Sequence, residues 1–211
     1  VSRGDDHGVG VGVGDDVGVG DDDLVWYVSY GSNMAAHRFS CYLTAGTPLG
    51  GLRATRGARD PRPPRDARAV WLPGLVYFAL ESLTWTGGVA LLDPDAQGEV
   101  RGRAYLITAG QFADVAGQEM RRAGPITIDL PAVAAAGRVD LGTGRYERLL
   151  CLGELDGHPL LTFTAPWSLA DVEVVAPAPA YRATIVAGLV EGHGLDLPAA
   201  GRTVAGYPGA G

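Results

Sequence analysis

The chain reads as an α+β domain built on a mixed sheet or barrel. Two observations carry this. Predicted strands outnumber the helices that cross between them, and two helices fall between runs of strands instead of alternating with single strands. The size fits one compact domain with tails: 211 residues, 46% of them hydrophobic.

The elements follow in order. Residues 25–30, within "VWYVSYGSNM", are β-branched and aromatic and predict a strand. The run stops at Gly31, Ser32 and Asn33. One reading is a turn, because Gly permits positive φ and Ser and Asn bond back to their own backbone. The other is a loop whose bare N–H groups catch an anion as a helix begins. Residues 33–43 predict that helix, with Asn33 or Ser32 as its cap. "GTPLGGLRATRGARDPRPPRDARAV" is too rich in Gly and Pro for a regular element. Strands are expected at 75–80, 88–92 and 101–107. A helix is expected over 108–122, with Thr108 as cap and Phe112, Val115, Ala116 and Glu119 on one stripe. Residues 146–152 and 160–164 flank the turn sequence "GELDGHP" and predict an antiparallel hairpin. A last helix over 181–192 stops at Gly192 and Gly194.

Residues 1–23 are low-complexity Gly and Asp and predict disorder, since they hold no large side chain to bury. That segment carries seven Asp and one Arg of a chain with net charge −7, so the remainder is nearly neutral. Its Asp pairs lack the alternating ligands of a calcium loop. The folded domain is expected over 24–198, with 199–211 as a C-terminal tail. Cys41 and Cys151 form no CxxC pair and suggest a reducing compartment. No apolar run approaches the roughly 18 residues of a membrane helix, and residues 1–23 do not resemble a secretory signal. A cytoplasmic protein without a membrane partner is expected.

Several chemistries fare poorly. Of the histidines, His7, His37, His158 and His193, none lies three or four residues from another and none sits beside a Cys. A zinc-dependent hydrolase, including a zinc deacetylase, would have to gather ligands from scattered positions, so no metal is expected. There is no GxSxG elbow and no P-loop ending. All 17 basic residues are arginine. Six of them, Arg53, Arg56, Arg59, Arg62, Arg65 and Arg68, recur every third residue and would share one face of a polyproline helix. No aromatic residue lies between them to stack on bases, which favours a solvated loop and no nucleic-acid partner. Glu119 is different. A glutamate on a core-facing stripe is uncommon unless paired or functional. It reads either as a general acid/base with a raised pKa or as the partner of Arg121, Arg122 or another arginine.

Together these pieces resemble the γ-glutamylcyclotransferase family. "YVSYGSNM" is similar to its opening strand and loop, and "LTWTGGVALLDPDAQGEVRGRAYLITAGQFADVAGQEM" to its central stretch. "GRYERLLCLGELDG" and "PAPAYRATIVAGLVEGHGLDLP" resemble its Tyr-led strand and closing helix. The similarity spans most of 26–198. The Arg–Pro segment and residues 123–143 lie outside it, and Met120 stands where the family often has Gly. The resemblance implies a small mixed β-barrel flanked by helices, a substrate cradle from Tyr27 to Asn33, and Glu119 as catalytic acid/base.

The chemistry needs little else. A γ-glutamyl amide carries its own nucleophile, an α-amine able to close a five-membered lactam on the side-chain carbonyl. No Ser, Cys, metal or cofactor is required. One carboxylate can serve both proton transfers, and a curled substrate replaces a bimolecular encounter. The N–H groups of Gly31 and Ser32 would bind the α-carboxylate; Tyr30 and Tyr146 would donate to substrate or hold Glu119. The expected reaction releases 5-oxoproline from a small γ-glutamyl amine or peptide. Two alternatives stand beside it: another amide-cleaving or acyl-transfer reaction in the same pocket, and a binding module without turnover.

Overall fold

Residues 20–211 are described by a computed structural model. Strand β1 (Leu24–Ser29) is buried at five of its six positions, which requires cover on both faces and neighbours on both edges. It runs antiparallel to β5 (Glu99–Thr108), with Tyr27 opposite Tyr105, and parallel to β8 (His158–Thr164), with Tyr27 opposite Leu161. Alternate side chains enter separate cores. Val25 and Tyr27 join Phe39, Phe112 and Phe163 on one face, while Trp26 and Val28 join Phe78, Ile185 and Leu189 on the other.

The sheet is completed by β2 (Asp66–Pro73), β7 (Arg148–Leu155) and β6 (Arg138–Asp140), in the order β2-β5-β1-β8-β7-β6. A separate hairpin pairs β3 (Leu75–Ala79) with β4 (Val89–Asp93). The mixed α+β class is as expected, but the sheet does not close into a barrel. The reason is visible along β4, whose free edge is bonded by side chains instead of a strand. Thr164 Oγ1 accepts from the Leu92 N–H at 3.0 Å and donates to the Leu92 carbonyl at 2.7 Å. Tyr181 Oη accepts from the Ala90 N–H, and Tyr146 Oη donates to the Ala90 carbonyl. These side chains hold β4 off the main sheet and leave a gap beside β1.

The predicted helix after β1 is split. Ser32–Met34 form a 3-10 turn, and α1 (Ala36–Thr44) starts after an extended Ala35. Neither Ser32 nor Asn33 caps it with its side chain. The Ala36 N–H donates instead to Glu191 of α4 (Pro179–His193) at 2.9 Å. Helix α2 (Ala109–Glu119) begins as expected, with Thr108 and Gln111 in a reciprocal capping box. Gly194 ends α4 in the left-handed conformation.

Other elements depart from the sequence reading. Strand β2 emerges from the Arg–Pro segment as a mostly exposed edge, the one place a sheet tolerates Pro73. Helix α3 (Leu130–Ala136) and β6 occupy a stretch to which no element was assigned. Residues 199–211 are not a tail: α5 (Leu197–Ala205) buries Ala200 and Val204 against the second core. Most of the expected N-terminal tail lies outside the described residues. Its last four, 20–23, form a turn whose Asp21 and Asp23 carbonyls accept from the first N–H groups of α2. Among the described residues no helix is long and apolar enough to cross a membrane.

Gly188 lets α4 lie directly on the turn after β1. A Cβ there would stand 2.5 Å from Met34 Cβ and 2.7 Å from the Ala35 nitrogen. Replacing a helical Gly by Ala ordinarily gains about 1 kcal/mol, whereas overpacking of this kind costs about 1–3 kcal/mol. Gly188→Ala is therefore expected to destabilise. In urea titration the midpoint falls while the slope stays that of the wild type.

Candidate active site

The turn after β1 and the C-terminal end of α2 meet at one side chain. Asn33 Nδ2 donates to Tyr27 Oη at 3.2 Å and to Glu119 Oε1 at 3.1 Å. Glu119 is half-buried. Among the described residues it enters no ion pair; Arg122, one of its candidate partners, goes instead to Glu147 at 2.6 Å. Burial, then the Glu119 charge, holds the Tyr27 hydroxyl well above its ordinary pKa, so it remains a neutral phenol. Tyr42 stands near Glu119 from the other side, its pKa raised by burial and by that carboxylate.

Glu119 sits where two cavities join. The inner one, about 30 Å³, lies in the gap between β1 and β4; the outer one, about 370 Å³, opens from it. Ser32, Glu119, Tyr146 and Tyr181 line both. Gly31 forms part of the inner wall, where a Cβ would lie 3.4 Å from Ala90 Cβ and 3.5 Å from Tyr181 Oη. The N–H groups of Gly31 and Ser32 precede the first bond of the 3-10 turn, Met34 N–H to the Gly31 carbonyl, and are orphan donors of that turn.

The structure brings Tyr27, Tyr30, Gly31, Ser32, Asn33, Glu119 and Tyr146 to one place, but it changes what some of them do. Tyr30 donates to the Phe163 carbonyl at 2.8 Å and Tyr146 to the Ala90 carbonyl at 2.9 Å. Neither holds Glu119. Both are walls, and Asn33 holds the carboxylate. Tyr181 was not among the residues expected at the site. Its oxygen accepts from the Ala90 N–H, which leaves its own proton for Ser32 or a ligand. Burial pushes its pKa up to about 12, so that proton is retained at neutral pH. The signal was the Pro-x-x-x-Tyr opening of α4.

Arg38 and the end of α2 were also missed. Arg38, in α1, is 3% exposed; Nη2 donates to Tyr42 Oη at 2.8 Å, and Nε and Nη1 have no partner. Helix α2 ends in a Schellman arrangement: Arg122 N–H to the Gly117 carbonyl and Arg121 N–H to the Gln118 carbonyl. Arg121 takes the left-handed position of that motif, φ 58°, where glycine is favoured.

The arginines of the Arg–Pro segment do not share one face. Arg59 pairs with Asp114 and Asp21, Arg62 with Asp60, and Arg68 with Asp66 and Asp156. Arg56 donates to the carbonyls of Arg122 and Gly124. They pin the segment to the domain, and its residues 53–56 line the outer cavity. Among the described residues no group of three or more His, Cys, Asp or Glu is placed to hold a metal ion.

These features define an α+β domain with a carboxylate at the throat of a two-chamber cleft. The fold is that of gamma-glutamyl cyclotransferase. A solved structure of that name matches with a TM-score of 0.52 over 88% of this chain and 89% of that one, at 17% identity. The crystal structure of an uncharacterized protein from Homo sapiens matches with a TM-score of 0.51 and 19% identity, over 88% of this chain and 89% of that one. In sequence, the chain is 34% identical over 192 residues to histone deacetylase 5 of Arabidopsis thaliana; the match takes in 82% of this chain and 29% of that protein. The chain thus spans less than a third of that relative's length. No family model matches the chain.

Asn33→Ala leaves the buried Tyr27 oxygen and one Glu119 oxygen without a donor, a loss expected to cost about 1–3 kcal/mol. Asn33→Asp adds a second carboxylate beside the first. Such a pair binds a proton more tightly folded than unfolded, so the penalty is largest where both groups are ionised and fades on acidification. Urea titrations at pH 8 and pH 5 check this: Asn33→Asp is expected to be less stable than Asn33→Ala at the higher pH, with the difference narrowing at the lower.

Proposed function

We propose that this chain is a cofactor-independent cyclotransferase that releases 5-oxoproline from a γ-glutamyl amine or peptide. The observation that carries the reading is the Glu119 carboxylate, held by Asn33 at the junction of the two cavities. The inner cavity is the smaller of the two and takes the substrate's α-carboxylate end. There the Gly31 and Ser32 N–H groups and the Tyr181 hydroxyl receive the substrate's α-carboxylate. Asn33 Oδ1, buried without a partner, accepts from the α-ammonium. The rest of the substrate curls back into the outer cavity past Glu119.

The reaction then balances without further groups. Glu119 takes one proton from the α-ammonium. The freed amine attacks the side-chain carbonyl carbon, and a carbon–nitrogen bond closes the five-membered ring. The bond from that carbon to the leaving nitrogen breaks as Glu119 returns its proton to that nitrogen. The ring nitrogen, which still carries two protons after attack, gives one to the freed carboxylate, which passes it to the departing amine, so a neutral lactam and an ammonium result. Holding amine and carbonyl together replaces a bimolecular encounter. The rival reaction at the same amide is attack by water, which yields glutamate. The name of the plant relative denotes amide cleavage of another kind, but the match reaches only 29% of that protein. A reducing, cytoplasmic setting belongs to the same proposal and is supported by two free cysteines.

Glu119→Gln tests the role. Gln keeps an oxygen for Asn33 but cannot take up a proton at neutral pH. Turnover of γ-glutamyl substrates to 5-oxoproline, followed by mass spectrometry, is expected to fall by about 10²–10⁴-fold. Substrate binding and melting temperature stay near wild type, and EDTA does not inhibit the unmutated protein. Activity close to wild type in the variant removes Glu119 from the mechanism.

A further inference from the structure

The outer cavity has a sign. Six arginines line it and one carboxylate, Glu119. Two of the six are occupied, Arg56 by backbone carbonyls and Arg122 by Glu147. Arg145 reaches only the Glu81 carbonyl, at 2.8 Å. Among the described residues Arg38, Arg53 and Arg121 enter no ion pair. This concentration stands in a domain that is nearly neutral apart from residues 1–23, and whose other arginines largely find carboxylates.

Two of these arginines stand in unusual places. Arg38 is nearly wholly buried on the cavity wall, with Nε and Nη1 unpartnered and its guanidinium 4.3 Å from the centre of the Tyr42 ring. Burial opposes its charge, but Tyr42 and the Glu119 carboxylate outweigh that and hold its pKa up, so it stays a cation with two donors unfilled. Arg121 occupies a left-handed position that glycine fills more easily. Burial and the like charges of Arg145 and Arg53 lower its pKa, so the three repel one another at the opening.

We propose that the leaving half of the substrate carries two carboxylates, received by Arg38 on the wall and by Arg53, Arg121 and Arg145 at the mouth. This rests on the cyclotransferase reading and adds to it the class of amine released: an acidic α-amino acid or a short acidic peptide. The substrate's glutamyl end then lies in the inner cavity, its amide passes Glu119, and its acidic end meets the arginines. Charge-assisted bonds to guanidinium groups supply the selectivity.

The test compares three substrates with the same glutamyl half: γ-glutamyl-glutamate, γ-glutamyl-alanine and γ-glutamyl-propylamine, whose leaving halves carry two, one and no carboxylates. The kcat/KM ratio of the first to the last is expected to be about 100 or more at low salt. It shrinks at high salt, because Arg53 and Arg121 at the mouth are exposed and screened, and Arg145 partly so. Arg121→Gly lowers that ratio about tenfold, the loss of one charge-assisted contact, and raises the melting temperature by relieving the backbone. A ratio near one in the wild type, or a ratio unchanged in Arg121→Gly, overturns the inference while leaving 5-oxoproline release intact. γ-Glutamyl-phosphoethanolamine serves as a fourth arm; preference for it over γ-glutamyl-glutamate overturns the carboxylate assignment. If no substrate yields 5-oxoproline, the cyclotransferase reading fails, and calorimetric binding decides the inference separately. Glu119→Gln protein is then titrated with γ-glutamyl-glutamate and γ-glutamyl-propylamine. Tighter binding of the first supports the acidic site, and equal binding removes it.

Discussion

One amide group ties the site together. Asn33 Nδ2 donates at once to Tyr27 at the heart of β1 and to Glu119 at the last turn of α2. The two elements are far apart in sequence, and this contact fixes the carboxylate to the most buried strand of the sheet. The turn that presents Asn33 is itself clamped. Gly188 lets α4 lie against it, and Tyr105 and Arg103 both donate to the Met34 carbonyl at 2.8 Å. The proposed proton transfers call for a carboxylate that keeps its distance to two nitrogens. Glu119 is held by a turn that is itself clamped between β1, β5 and α4.

The open sheet is the second constraint. Closing β4 onto β8 by a backbone ladder would fill the gap beside β1 with strand. Thr164, Tyr146 and Tyr181 satisfy the β4 backbone instead. Each buried N–H and C=O still finds a partner, as it must, and space remains for a ligand. Tyr181 gains from this geometry: because the Ala90 N–H already donates to its oxygen, its own proton is left for Ser32 or a ligand. The same strand therefore carries core packing on Leu91 and Leu92 and one wall of the site on Ala90.

Much of this was legible in the residues. The strand at "VWYVS", the turn at Gly-Ser-Asn, the Thr108 cap and the inward stripe ending at Glu119 all follow from local pattern, because each is set by its own neighbours. The barrel was not borne out, since closure depends on whether side chains or backbone bond β4, a matter of tertiary contact. Strand β2 escaped notice because Gly and Pro dominate the segment before it and an edge strand needs little apolar content. Helix α5 escaped because "LPAAGRTVA" offers few large side chains and is stabilised by docking on α4. Nothing in the local pattern marks Arg38; only the placement of Tyr42 and Trp85 around it shows that it is buried. Tyr30 and Tyr146 bond to carbonyls and not to Glu119 for a related reason, as sequence cannot tell which carbonyl a hydroxyl will meet.

The central claim is that the nucleophile comes from the substrate and not from water. Turnover of a γ-glutamyl dipeptide in H₂¹⁸O, analysed by mass spectrometry, tests it most directly. The mechanism predicts 5-oxoproline as the first product, free of ¹⁸O, with one free amine released per ring closed. Glutamate carrying ¹⁸O as the first product would contradict it and make the cleft a hydrolase.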